Sequence, residues 1–315
     1  MYEDLKQKLQ GCVYSVFTPF TVDDLIDYEA LDRYLKHLYD TGARKFYVMA
    51  YNSRYAQLTN EQVLELNEFV TRRVKKLDQQ NIVIVGDPIH CTTKVSTEFA
   101  LHAKDIGADL ISLLLQEKYY SDEQVLEHFA QVGRNSDMAQ LIHEMAFLSG
   151  ADGRQMHWPK SLFTGLMTIP HVAALKEDAK VFETTCAALE LEPRVRVVIS
   201  GPKAALMQYR EHGVRAYLNG ISMIDARIGE TFWEAFEQRD DETTSYIIEK
   251  LEAPFFKGSV TKYGWHLTNK AFLQAAGHFH RRDVMPLKTI SDLQYADVEA
   301  DYAKVSAALE KLINQ

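Results

Sequence analysis

The stretch IPHVAALKEDAK (169–180) sets a short apolar run against a charged end. Val172 to Leu175 are continuously apolar, the pattern of a strand covered on both faces. Lys176, Glu177 and Asp178 follow, and then a helical pattern, KVFETTCAALEL (180–191). A buried strand that runs into a helix is part of a βαβ unit. A lysine at its end is either solvated where the strand surfaces or an amine set at the carboxyl edge of a parallel sheet, where such folds do their chemistry. The flanking sequence decides between the two.

The same unit recurs on both sides. VYSVFTPF (13–20) precedes DYEALDRYLKHLYDTG (27–42), whose Leu31, Tyr34, Leu35 and Leu38 share one helical face. KFYVMAYN (45–52) precedes TNEQVLELNEFVTRRVKKL (59–77), where Thr59 and Gln62 have the spacing of a capping box. NIVIVGD (81–87), DLISLLL (109–115), AQLIHEM (139–145), HVAALKE (171–177), RVVISG (196–201) and VRAYLNG (214–220) are each followed by a helical pattern. Eight right-handed strand–helix units predict an α/β fold, a (β/α)8 TIM barrel, over residues 1–236. A doubly wound open sheet would carry a glycine-rich turn after its first strand, and TPFTVDD (18–24) has no glycine. From residue 237 to 315 the strands stop. ETTSYIIEKLEAPFF (242–256), KYGWHLTNKAFLQAAG (262–277) and ADVEADYAKVSAALEKLINQ (296–315) read as helices, a C-terminal extension expected to pack on the barrel.

Bulk properties narrow the function. The 315 residues are 46% hydrophobic and 25% charged, as in ordinary globular proteins. A net charge of −9 argues against nucleic acid as a partner. The basic pairs Arg72-Arg73 and Lys75-Lys76 fit one solvated helix face. No run approaches the roughly 20 apolar residues of a membrane span, and MYEDLKQKLQ (1–10) lacks the apolar core of a secretory signal. Cys12, Cys91 and Cys186 form no CxxC pair and no zinc-ligand spacing. The expectation is a cytoplasmic protein with no membrane partner, no metal and no cofactor.

Barrels of this type keep their active sites at the carboxyl ends of the strands. In strand order the polar candidates are Thr18, Asn52 to Tyr55, Asp87 and His90, Glu117 to Tyr120, His143 and Glu144, Lys176 and Glu177, Ser200, and Asn219. An amine in a barrel mouth is partly removed from water, which lowers its pKa. Neutral amine attacks a carbonyl to give a Schiff base, and the protonated imine is an electron sink suited to aldol cleavage, condensation or dehydration. Asp87, His90, His143, Glu144 and Glu177 would be the ligands of the competing reading, a metal-dependent barrel enzyme, although their spacing matches no known ligand signature.

Several short motifs, in order along nearly the whole chain, resemble the dihydrodipicolinate synthase / N-acetylneuraminate lyase family of Schiff-base aldolases. They are TPF (18–20), LTNEQ (58–62), KYY (118–120) with LEHF (126–129), ALKED (174–178), SGPKAAL (200–206) and VMPLKTIS (284–291). The resemblance implies a barrel with C-terminal helices, a homodimer or homotetramer, and Lys176 as the imine-forming residue. It also implies that Tyr120 matches the family tyrosine that reaches a neighbouring subunit's site.

The chain departs from the family in two places. Where the family has G-T/S-T-G-E to hold a keto acid's carboxylate, this chain has Ala50-Tyr51-Asn52-Ser53-Arg54. Both glycines that let a backbone approach an anion are gone. Ser53 and Arg54 could hold a carboxylate by another geometry, or Tyr51 could fill the pocket while Arg54 pairs with a neighbouring acid. Where the family has the proton-relaying tyrosine, this chain has His143, a residue able to move protons near neutral pH. The loop AFLSGADGRQMHW (146–158) is long for the family and carries Arg154, a candidate for the distal end of a substrate or for a dimer contact.

The expected function is that of a lyase or aldolase acting on a small keto acid or related carbonyl compound. Lys176, His143 and Tyr120 are the expected catalytic residues, and Thr18, Asn52, Ser53, Arg54, Arg154, Ser200 and Asn219 the expected substrate contacts. The alternative is a protein that keeps the fold, has lost the original catalysis and binds a small ligand.

Overall fold

The computed structural model describes residues 2–89, 91–115, 120–145 and 158–314. Eight strands, β1 (Gly11–Ser15), β2 (Lys45–Val48), β3 (Ile82–Gly86), β4 (Leu110–Leu113), β5 (Gln140–His143), β6 (Val172–Glu177), β7 (Arg196–Ser200) and β8 (Ala216–Asn219), form a closed barrel in chain order. Every neighbouring pair is parallel, and β8 closes on β1 with Gly11 opposite Ala216 and Tyr14 opposite Asn219. That last ladder excludes the open sheet.

Strand parity divides the core in two. Val13, Tyr47, Ile84, Leu141, Ala174 and Val198 belong to the cluster that fills the barrel, while their neighbours Phe46, Val83, Ile142, Leu175 and Val197 pack outward in the cluster shared with the helices. The outer helices are held at their starts by side chains. Thr59 and Gln62 form the expected capping box, and Ser121 with Gln124 forms a second.

Several strands stop earlier than the apolar runs suggest. β1 ends at Ser15, yet Val16, Phe17 and Phe20 remain buried as loop. Beyond β2 the chain turns back on itself, with Ser53 N–H donating to Met49 O at 2.7 Å and Tyr55 N–H to Ala50 O at 3.0 Å. An unexpected helix, Glu3–Lys8, lies against the amino-terminal end of the barrel, where Lys6 is buried and donates to the carbonyls of Pro193 (3.3 Å) and Arg194 (3.1 Å).

The C-terminal helices run Asp241–Tyr246, Thr261–Tyr263, Trp265–Ala275 and Asp292–Ile313. Between the first two, Ile247–Glu252 and Pro254–Val260 wind as π-helix, a form that concentrates at functional sites. Gly264, at φ +80, breaks the single helix expected over 262–277. Contacts that tie these helices to the barrel mouth include the Lys203–Glu252 ion pair, Trp265 Nε1 donating to Asn52 Oδ1 at 2.9 Å, and Lys270 Nζ donating to Thr18 O. Among the described residues no helix is long and apolar enough to cross a membrane.

Candidate active site

Alternation along β6 sends Ala174, Lys176 and the following Asp178 to the barrel side and Glu177 outward. Glu177 accepts from Thr185 Oγ1 at 3.0 Å and from Ala179 N–H at 2.8 Å. Lys176 is 1% exposed. Its Nζ donates to Asp178 Oδ2 at 2.7 Å and lies 2.9 Å from His143 Nε2. His143 is the register partner of Lys176 across the β5–β6 ladder, so both side chains leave the sheet at one level and on one face. An ammonium can only donate, so Nε2 accepts and the ring proton sits on Nδ1. Nδ1 is 3.5 Å from the Tyr47 hydroxyl, which is 2.5 Å from Ser112 Oγ.

Burial and charge set the protonation states. Burial pulls Lys176 below the ordinary lysine value, and Asp178 opposes it. Burial pushes the Asp178 carboxyl up, but the Lys176 charge, with Lys180 beside it, holds it far below the usual carboxylate range. The proton of the pair therefore resides on the lysine. His143 is pushed down to about 4, first by burial and then by the Lys176 charge, and is a neutral ring at pH 7. Glu144 goes the other way, up to about 7, through burial and its neighbour Glu177. One of its oxygens accepts from Asp178 N–H at 3.2 Å, and the other is buried without a partner among the described residues.

Lys176 and Asp178 open onto a cavity of about 360 Å³. Lys180, Ser200, Asn219, Tyr51 and Asn52 complete its polar side, and Met49, Leu218, Phe256, Val260 and Trp265 its apolar side. Ser200 donates to Asp178 Oδ1 at 2.6 Å, and Lys180 Nζ lies 3.3 Å from the same oxygen. Asn219 accepts from Ser222 at 3.2 Å, while its Nδ2 is buried without a partner among the described residues. A buried amine between a carboxylate and a neutral imidazole, facing a cavity, can attack a carbonyl once one of its protons is passed on.

The other expected contacts are placed differently. Thr18 Oγ1 donates to Ser53 O at 2.7 Å and Ser53 Oγ to Val16 O at 2.6 Å, so both hydroxyls bolt the loops after β1 and β2 together and neither lines the cavity. Asn52 lines it, but Nδ2 donates to Ser15 Oγ at 2.9 Å and Oδ1 accepts from Trp265. Arg54 adopts a left-handed backbone, φ +65, and its Nε donates to Gln57 Oε1 at 2.5 Å, away from the cavity lining. Tyr120 is 44% exposed beside the start of the Asp122–Ser136 helix. Arg154, His90 and Glu117 lie outside the described residues. Among those described, no group of three His, Cys, Asp or Glu is gathered that could hold a metal. Asp87 instead accepts from Ser96 Oγ at 2.7 Å and Leu114 N–H at 3.2 Å.

Asp178, Tyr47 and Lys180 are the site residues that strand-end reading misses. Parity would have found two of them. Asp178 is two residues beyond Lys176, and Tyr47 shares its face with Met49, so both point inward.

A model of the dihydrodipicolinate synthetase family matches residues 8–304. An uncharacterized DapA-like lyase of Pyrococcus furiosus is 27% identical over 138 residues, 43% of this chain and 44% of that protein. A 4-hydroxy-tetrahydrodipicolinate synthase of Staphylococcus epidermidis is 23% identical over 253 residues, 77% of this chain and 80% of that one. The chain therefore aligns with less than half the length of the Pyrococcus relative. Among solved structures, dihydrodipicolinate synthase from Bacillus clausii superposes with a TM-score of 0.83 at 15% identity, covering 96% of this chain and 99% of that one. CdNal from Clostridium difficile, in complex with mannosamine, gives 0.83 at 16% identity, covering 94% and 99%. At these identities the two structures speak for the fold.

Proposed function

The chain belongs to the dihydrodipicolinate synthetase family, and on that premise we propose that it is a lyase forming a Schiff base between Lys176 and a small carbonyl compound, a keto acid or a relative of one. The observation that carries this reading is the Lys176 amine, buried on the cavity wall 2.9 Å from a neutral imidazole and 2.7 Å from a carboxylate. His143 Nε2 takes a proton from the ammonium as the carbonyl enters. The freed lone pair attacks the carbonyl carbon, a second proton passes from nitrogen to the carbonyl oxygen to give the carbinolamine, and His143 returns its proton to the new hydroxyl, which leaves as water. The iminium then draws electrons from the adjacent carbon, which supports aldol cleavage, condensation or dehydration. Tyr47 and Ser112 hold the ring's other nitrogen, and so its tautomer. Ser200 steadies Asp178. Phe256, Val260 and Trp265, from the 237–315 extension, close the cavity over the barrel mouth. Tyr120 takes the role of a subunit contact in a homodimer or homotetramer.

The tight Lys176–Asp178 pair favours one second reading, a protein that keeps the lysine as an ammonium and binds its ligand without reaction. Borohydride trapping separates the two. The chain is incubated with a panel of keto acids, aldehydes and ketones, reduced, and mapped by peptide mass. The lyase reading expects a reduced adduct on the Lys176 peptide that is lost in Lys176→Met. No adduct from any carbonyl leaves the binding protein standing.

A further inference from the structure

We infer that the carbonyl partner of Lys176 is an uncharged aldehyde or ketone, with no carboxylate on its carbonyl carbon, and that Asp178 supplies the counter-ion a 2-keto acid would bring with it. The inference rests on the Schiff-base reading above and names the substrate class for that site.

Charge balance is the first argument. An ammonium and a carbonyl combine to give an iminium and water. The nitrogen begins and ends with one positive charge and, as the iminium, keeps one N–H. Asp178 Oδ2, 2.7 Å from Nζ and buried, matches that charge and accepts that N–H before and after the step. A 2-keto acid would attach a second carboxylate to the carbon bonded to Nζ. Two carboxylates would then crowd one buried cation, and like charges at such separation disfavour each other's ionised forms.

The anion-holding positions are the second argument. Asn52 and Ser53, which stand where the resembling family cradles a carboxylate, donate to Ser15 Oγ and Val16 O. The left-handed backbone of Arg54 turns its side chain to Gln57. On the cavity wall the described cations are Lys176 and Lys180, and both face Asp178. Lys180 meets the opposite oxygen, Oδ1, through a side chain that is 53% exposed, so water screens it from the imine position.

What remains on the wall suits an uncharged molecule. Met49, Leu218, Phe256 and Trp265 offer apolar contact to an uncharged carbon chain.

The test compares matched acids and neutral carbonyls in the borohydride assay: pyruvate against methyl pyruvate, and 2-oxobutyrate against butanal. Each rate of adduct formation on Lys176 is divided by that of Nα-acetyl-lysine under the same conditions, which removes intrinsic electrophilicity. In the native chain the normalised rates favour the neutral member at least tenfold. Asp178→Asn lowers that preference tenfold or more, and Asp178→Glu, which keeps the charge, retains most of it. The native comparison stands alone if a variant fails to fold. Adducts from the acids alone, or a normalised preference of one or less, overturn this inference and leave the Schiff-base reading intact. No adduct from either class removes that reading, and the inference with it.

Discussion

Glu252→Gln should unlock the wall of the cavity. Lys203 and Glu252 form an ion pair whose side chains are 0% and 3% exposed, with Nζ 3.4 Å from Oε1 and the Lys203 N–H donating to Oε2 at 2.7 Å. The pair joins the loop after β7, which supplies Ser200, Gly201 and Pro202 to the cavity, to the π-helical stretch that leads to Phe256 and Val260 on the facing wall. Burial raises the Glu252 pKa and Lys203 opposes the rise, so desolvation outweighs attraction within the pair. Glutamine keeps the shape and an oxygen for the Lys203 N–H, but it leaves an ammonium sealed against the rings of Tyr217 (5.6 Å) and Phe232 (5.4 Å). Removing one member of a buried pair costs about 3–5 kcal/mol. Lys203→Met leaves a carboxylate that can take up a proton, and should fall at the lower end of that range. The double change Lys203→Met/Glu252→Gln removes both charges and keeps an oxygen for the main-chain N–H at 203. It should cost about 1 kcal/mol.

The assay is urea unfolding of the native chain, both single variants and the double, read by far-UV circular dichroism and by fluorescence. Trp265, stacked on Phe256 at 6.0 Å, reports the wall directly. With about 3 kcal/mol or more for each single variant and about 1 kcal/mol for the double, a double-mutant cycle should give a coupling of about 5 kcal/mol or more. A coupling below about 1 kcal/mol, the value of an exposed pair, would refute the reasoning.

Two further outcomes follow from the site's geometry. His143 is pushed down to about 4 in the folded chain, while in the unfolded chain it titrates near 6.5. Below pH 6.5 the unfolded chain binds the extra proton, so stability falls as the pH drops from about 6.5 towards 4, by about 3 kcal/mol for this ring. His128, His266 and His278, pushed down to about 4, about 3 and about 4, act with the same sign, and Asp87 and Glu144, both raised to about 7, with the opposite sign over nearly all of that range. Between pH 6.5 and 4.5 the His143→Phe variant should therefore gain on the native chain in urea midpoint as the pH drops, and parallel curves for variant and native would sink the assignment. At Gly229 an added Cβ would lie 2.7 Å from the Tyr14 hydroxyl and 2.9 Å from Asn219 Oδ1. Gly229→Ala should cost about 1–3 kcal/mol, read as a drop in the urea midpoint. Gly213→Ala, strained at φ +77 but in open space, should cost about 1 kcal/mol.

The barrel was legible because both faces of each strand are covered, which makes the strands continuous apolar runs that alternation with helices then orders. Closure was an inference from the number of units, and the β1–β8 ladder supplies it. The runs overshoot the strands because barrel loops are also buried. Val16, Phe17 and Phe20 are as apolar as the strand before them, and nothing in composition marks where Ser15 ends the pairing. The same effect misled the reading of polar strand ends. A polar residue in a buried loop must be hydrogen-bonded whether or not a ligand comes. Thr18, Asn52, Ser53 and Asn219 spend groups on that requirement, while Ser200 faces the cavity and bonds Asp178.

Parity along a strand separates these cases better than position at its end. Lys176 is inward on β6, so Asp178, two residues on, is inward as well, and a carboxylate there must be reckoned with the amine. His143 is inward on β5 at the register of Lys176, and Tyr47 is inward on β2, so the three meet across the barrel axis although 129 residues separate the first from the last. Once Asp178 is placed, the two departures from the family pattern become one. With the loop after β2 bolted shut by Asn52 and Ser53, the negative charge beside the imine has to come from elsewhere. The chain carries it on β6's own continuation, two residues beyond the amine it serves.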